Sequence, residues 1–195
     1  MLKFLICLFL SVATVPSFAI TITGSTSKTV NSSTDSIYVG IVWHYADTKP
    51  HVADASIGTV ADGRFSFEIN NTPPPSTIMK GDSFQLSIAY IILFKDKNGN
   101  QKLDETGDEL KGICEHFCIS YLKGDINAFL DKIEKQGGKK VTTLRKLKEG
   151  IRLVKVVKPG EQQQKNFFDD LHPVEATDII IKCGERDELT FPNWT

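Results

Sequence analysis

Apolar and polar residues alternate over several short stretches, and those stretches predict strands. Ile20-Thr21-Ile22-Thr23 alternates strictly, as a strand with one buried face does. Ile37 to Val42 is β-branched and aromatic, and Trp43 and Tyr45 add bulk, which again favours strand. Asp62-Gly63 is a hairpin turn pair. It leads into Arg64-Phe65-Ser66-Phe67-Glu68-Ile69, which puts Phe65, Phe67 and Ile69 on one face. Asn70 to Pro75 (NNTPPP) breaks regular structure. Phe84 to Phe94 reads FQLSIAYIILF. It begins with alternation and ends as a nearly continuous apolar run, which predicts a strand whose end is buried on both faces.

Ile113 to Leu122 (ICEHFCISYL) predicts a further strand. From Asp125 the period lengthens. Ile126, Phe129, Leu130 and Ile133 sit at i, i+3, i+4 and i+7, the stripe of an amphipathic helix. Asp125 stands at its cap position and Gly137-Gly138 at its stop. Lys139 to Glu149 predicts a second short helix with Val141, Leu144 and Leu147 inward. Ile151 to Val157 (IRLVKVV) returns to strand, Pro159 to Pro173 reads as polar loop, and Thr177 to Cys183 (TDIIIKC) as a last strand. No internal repeat and no domain boundary interrupts the pattern. The fold class this implies is mainly β: a single β-sandwich with a helical insertion near 125–149.

The first residues carry a different pattern. Lys3 precedes an unbroken apolar run from Phe4 to Leu10, and Ser17-Phe18-Ala19 puts small residues where a signal peptidase reads. The expectation is a signal peptide over 1–19, too short for a stable membrane span. Residues 20–195 would then form one exported domain, periplasmic or secreted. Cys7 lies too early for a lipid anchor and follows bulky Ile6. No later stretch is long and apolar enough to predict a transmembrane segment. The chain has 23 Lys and Arg against 24 Asp and Glu, and without Lys3 the balance is 22 against 24, or −2. That balance gives no general attraction to nucleic acid.

The segment VADGRFSFEI, Val60 to Ile69, combines an apolar lead, a DG turn and a phenylalanine-alternating strand. It resembles a hairpin of transthyretin-like and carboxypeptidase-regulatory-like β-sandwiches. The resemblance extends through pattern over roughly residues 20–95. It implies a sandwich fold and carries no function with it.

The sharpest chemistry lies in FKDKNGNQKLDETGDELKG, Phe94 to Gly112. Calcium requires six to eight oxygens from a loop that folds back on itself. Counting from Asp96 as position 1, Asn98 falls at 3, Asn100 at 5 and Asp104 at 9, with Lys102 at 7 offering its backbone carbonyl. Leu103 at position 8 is apolar. Two positions depart from the EF-hand spacing. Gln101 stands at position 6, where glycine makes the sharp turn, and Gly107 stands at position 12, where a bidentate Glu belongs. Asp108 or Glu105 would have to close the site. The strand entering the loop makes DKNGNQKLD similar to the EF-hand-like loops of dockerin modules and of the calcium-stabilised B-type repeats of bacterial adhesins. That resemblance implies calcium ligation by Asp96, Asn98, Asn100, Lys102, Asp104 and Asp108, and nothing about adhesion. The same residues also read as a solvated β-turn.

Three cysteines follow the signal segment: Cys114, Cys118 and Cys183. In an oxidising compartment one disulfide is expected. Four residues along an extended strand separate Cys114 from Cys118 by roughly 13 Å, too far to bridge. A bond from one of them to Cys183 is therefore the expected pairing, with three free buried thiols as the alternative. Cys114-Glu115-His116-Phe117-Cys118 also suits a soft metal. It lacks the later His of a dinuclear copper loop, where Leu122 stands. It also lacks the Pro of Sco-type copper chaperones, where Ile119 stands.

The four histidines, His44, His51, His116 and His172, form no zinc spacing. There is no nucleophile elbow, phosphate-binding glycine loop or dinucleotide fingerprint, so nothing argues for an enzyme. Ten Lys and Arg between 132 and 158 outnumber the acids Asp131, Glu134 and Glu149. This local excess suits contact with an anionic surface or reads as a solvated helix face. The function expected is that of an exported, non-enzymatic binding or structural protein with a calcium-stabilised loop, acting on an unknown protein or envelope component. The alternative is a metal-handling or thiol-redox protein using Cys114, Cys118 and His116.

Overall fold

In a computed structural model, residues 19–26, 36–44, 52–104, 107–137, 144–156, 171–173 and 181–185 are described. The strands are β1 (Ile20–Thr26), β2 (Ile37–His44), β3 (Val52–Thr59), β4 (Arg64–Ile69), β5 (Met79–Lys80), β6 (Phe84–Lys95), β7 (Glu109–Gly124), β8 (Gly150–Val156), β9 (Leu171–Pro173) and β10 (Ile181–Glu185). One α-helix, α1 (Asn127–Lys135), lies between β7 and β8. The strand path runs β3-β2-β6-β7-β10-β1-β4, with β5 added to β6, β8 to β7 and β9 to β8. Among the described strands only β1 and β10 pair in parallel. Residues 1–18, where a signal peptide is expected, lie outside the described residues. No described helix is long and apolar enough to cross a membrane.

Alternation explains the layers. Val39, Ile41 and Trp43 of β2, Ala89, Ile91 and Leu93 of β6, Ile119 and Tyr121 of β7, and Ile151 and Leu153 of β8 share one buried cluster with Ile22 of β1 and Phe65, Phe67 and Ile69 of β4. The antiparallel β1–β4 pair therefore packs on the inner face of the larger sheet, and the core sits between them as in a sandwich. Asp62 (φ 48) and Gly63 (φ 70) make the turn into β4 with both residues left-handed, as a two-residue hairpin requires. Gly24 is pressed by its partner across the pair. A Cβ there would lie 2.1 Å from the Phe65 ring, so this position has no room for a side chain.

The larger sheet is buried on its outer face too, and β6 shows both halves of it. Phe84, Leu86 and Ile88 face Ile126 and Leu130 of α1 together with Leu144 and Leu147. Further along, Ile92 and Phe94 join Val42 and Leu103 in a separate cluster. The two-faced burial predicted for the end of this strand is present. Asp125 accepts the Asn127 N–H at 2.8 Å just ahead of α1, whose N-cap position is Ile126 with no side-chain cap bond, and Gly137 (φ 84) follows its end as the spacing predicts.

Three expectations need correction. The second short helix is a single 3-10 turn, Leu144–Lys146. Leu144 and Leu147 are both buried, and a spacing of three suits the 3-10 period better than a helical stripe. Residues 138–143 lie outside the described residues. Of the last predicted strand, Ile181–Glu185 is β10 and residues 177–180 lie outside the described residues; part of the stretch read as loop, Leu171–Pro173, is strand β9 paired to β8. The sequence pattern also misses β3, because VADASIGT is rich in small residues. What holds β3 in register is polar. The Trp43 indole donates to Asp54 at 2.7 Å, and the Ser56 N–H donates to the same carboxylate at 2.7 Å.

Candidate functional site

The acidic segment is the hairpin loop between β6 and β7. Ladder pairing ends at Lys95 and Glu109, and side chains take over from there. Asp96 accepts the N–H of Gly99 and of Gln101, each at 2.7 Å, one on each carboxylate oxygen. Asn98 accepts the N–H of Asn100 at 3.0 Å, and Asn100 that of Lys102 at 2.8 Å. These repeated Asx turns wind the chain so that alternate side chains face one centre. Asp104 receives the amide Nδ2 of Asn98 at 2.8 Å and of Asn100 at 2.6 Å, both on the same oxygen. Those two bonds hold the Asp104 carboxyl below the usual carboxylate range, with Lys102 adding to the effect.

Asp108 closes the mouth. One of its oxygens accepts the Lys97 N–H at 3.0 Å and the other the Asp104 N–H at 2.8 Å. The legs of the loop are tied further by Glu109, which pairs with Lys97 at 3.3 Å and with Lys111. Of the expected ligands, Asn98, Asn100 and Asp104 meet directly, Asp96 wraps the same turn, and Asp108 reaches it through the backbone of Asp104. Lys102 is exposed. Glu105 lies outside the described residues. Gln101 occupies the left-handed region (φ 55), as does Gly99 (φ 73). The sharp turn at the sixth position is thus made by a glutamine, in a conformation that side chains adopt at a cost.

The chemical character of the loop is oxygen-rich and hard, which matches calcium better than a soft metal. Among the described residues no group of three or more His, Cys, Asp or Glu is arranged to hold a metal ion. A cation here would depend on the two asparagines as well as the carboxylates. It would have to displace the two amide N–H donors from Asp104 and turn both amides to present oxygen.

The cysteine segment is built differently. Strand β7 pairs with β6 along its length, but its register shifts between Ile113 and Cys118. On its other side Gly112 and Ile113 pair with β10, whereas Phe117 to Leu122 pair with β8. The shift sends the two thiols to opposite faces. Cys114 joins the inner core and Cys118 the cluster under the helix. Cys118 is free and buried, and burial pushes its thiol up to about 12. Cys114 is disulfide-bonded in this structure. The β7–β10 register pairs Gly184 with Ile113 and Glu185 with Gly112, and Cys183 pairs with Thr26 of β1. The side chains of His116 and Cys183 lie outside the described residues.

The basic stretch is offset only in part. Arg145 pairs with Asp131 at 2.7 Å and Glu134 at 2.9 Å. In the described parts of 131–158, Lys132, Lys135, Arg145, Lys146, Lys148, Arg152 and Lys155 stand against Asp131, Glu134 and Glu149, seven against three. One residue that the pattern did not single out carries structural weight: Asp54, a buried carboxylate on an edge strand. Leu103, the apolar eighth position of the loop, is only 7% exposed. The apolar side chain of Leu103 inside a run of polar residues was the available clue; for Asp54 there was none.

No family model, no curated protein and no solved structure matches this chain.

Proposed function

We propose that this is an exported, non-enzymatic β-sandwich whose β6–β7 loop takes up one calcium ion, stiffening one end of the sheet for a binding or structural role at the cell envelope or outside the cell. The observation that carries this reading is the convergence of Asn98, Asn100 and Asp104 on one point inside a turn already wound around Asp96. Calcium outside cells reaches millimolar levels, and extracellular modules bind it with dissociation constants of roughly 10⁻⁴–10⁻³ M. At about 2 mM calcium such a site adds about 1–2 kcal/mol to stability, or roughly 2–8 °C in melting temperature. The test is a thermal melt of the purified protein with calcium and with chelator. Calcium raises the wild-type melting temperature and leaves the Asp96→Ala/Asp104→Ala double variant unmoved. An equal rise in both, or none in either, removes the reading.

A disulfide between Cys114 and Cys183 fits the same exported setting, and the pairing of the adjacent residues Ile113 and Gly184 supports it. Peptide mapping without reductant tests the pairing. The thiol-redox and metal-handling alternative has less support. It needs Cys114 and Cys118 to act together, and the register shift in β7 turns them to opposite faces.

A further inference from the structure

Charges are sorted along α1. Asp125 stands just ahead of the helix, and Glu149 accepts the Gly124 N–H at 3.1 Å, so both acids lie at its N-terminal end. Lys132 and Lys135 lie in its last turn. Arg145 runs along one flank, donating to Asn127 at 3.4 Å as well as pairing with Asp131 and Glu134. Those are the helix's two acids, so its carboxylates are turned to Arg145. Lys132, Lys135 and Lys146 are exposed and form no ion pair with a described residue. Residues 136–143, between the helix and the 3-10 turn, add Lys139 and Lys140 and no acid. Steps of three residues place Phe129, Lys132 and Lys135 in one row along the helix. Among the described residues Phe129 is the one large apolar side chain that stands exposed, at 36%. The helix dipole accounts for lysines in a last turn. It gives no reason for an exposed aromatic ring beside them.

We infer that this face, Phe129, Lys132 and Lys135 of α1 with Lys146 of the 3-10 turn, docks on an anionic phospholipid membrane. Charge complementarity supplies the attraction: each Lys near a negative bilayer surface strengthens binding by about fivefold. The aromatic ring selects lipid over a soluble polyanion. A polyanion uses the charges alone, whereas a bilayer also takes Phe129 into its interface, where aromatic rings settle. With a single ring to insert, contact is peripheral and reversible, and salt weakens it. The inference does not rest on the calcium reading, since the β6–β7 loop supplies none of these residues.

The test is co-sedimentation of the purified protein with lipid vesicles, well below the melting temperature of every variant. Vesicles of one-third phosphatidylglycerol in phosphatidylcholine retain the wild type, and vesicles of phosphatidylcholine alone do not. Lys132→Gln/Lys135→Gln/Lys146→Gln weakens retention by about a hundredfold. Phe129→Ser weakens it by about threefold, for the part of the ring that leaves water, and Phe129→Trp restores it. Arg64→Gln removes an exposed charge from the β1–β4 layer and leaves retention as it was. No retention of the wild type, or a loss from Arg64→Gln as large as from the triple variant, overturns the inference. Wild-type retention of Phe129→Ser also overturns it, and assigns the face to a soluble polyanion.

Discussion

Along a single strand, β6, the outer face of the sheet is closed in two different ways. Phe84, Leu86 and Ile88 are roofed by a helix and a 3-10 turn that contribute Ile126, Leu130, Leu144 and Leu147. Phe129 adds to the roof at its edge, its ring 5.0 Å from that of Phe84. Ile92 and Phe94, a few residues on, are roofed from the loop by Leu103, with the Tyr38 ring stacked beside Phe94 at 5.7 Å. The helix satisfies its own backbone and spends its side chains on apolar contact. The loop has no such ladder, so its carboxylates and amides are consumed in holding its own N–H groups. Stability of the helical half therefore comes from buried area. Stability of the loop half comes from local polar bonds, which solvent conditions and ions reach directly.

The largest effects test that contrast through packing. Leu130→Ala should destabilise by about 3 kcal/mol and Leu103→Ala by about 2 kcal/mol, within the ordinary range for buried leucines and smaller where the loop can collapse. Urea unfolding measures both, and a larger loss for Leu103→Ala would reverse the comparison. A smaller effect, of opposite sign, is expected at the turn. Gln101→Gly removes the left-handed strain of a side-chain-bearing residue and should stabilise by about 0.5 kcal/mol, after the greater chain entropy of glycine. Destabilisation would mean that the Gln101 side chain contributes more than its backbone costs.

The subtlest contrast concerns pH. The Asp104 carboxyl is held below its ordinary value by Asn98 and Asn100. Its contribution is therefore fully present above the unfolded-state value of roughly 3.9 and is lost as pH falls through the lower folded-state value. Because the group is exposed, the effect is modest. Stability measured from pH 6 downward should fall more steeply in wild type than in Asp104→Asn. Equal slopes would show that the amide bonds do not favour the ionised form.

What the sequence discloses follows the physics of each element. Strands with one dry face announce themselves by alternation, as β1 and β4 do. The doubly buried end of β6 appears as an apolar run. The helix was legible because Ile126 and Leu130 need a 3.6-residue period and Asp125 and Gly137 punctuate it. β3 was not legible, since its burial depends on Trp43 reaching Asp54 from a neighbouring strand, a contact with no local signature. The left-handed turn at Gln101 had no local signature either. Glycine is preferred in the left-handed region without being required there, and Asp96 binding the Gly99 and Gln101 N–H groups holds the turn. The cysteine pattern promised a cluster because linear spacing cannot show a register shift. One irregularity in β7 was enough to separate Cys114 from Cys118.

The central claim is that the loop half, and not the helical half, answers to calcium. Amide hydrogen exchange with and without calcium measures this directly. The account predicts that calcium slows exchange at Gly99, Gln101, Lys102 and Asp104, and at the ends of β6 and β7 beside them, while the amides of α1 keep their rates. Unchanged exchange in the loop, or equal slowing in loop and helix, would contradict it.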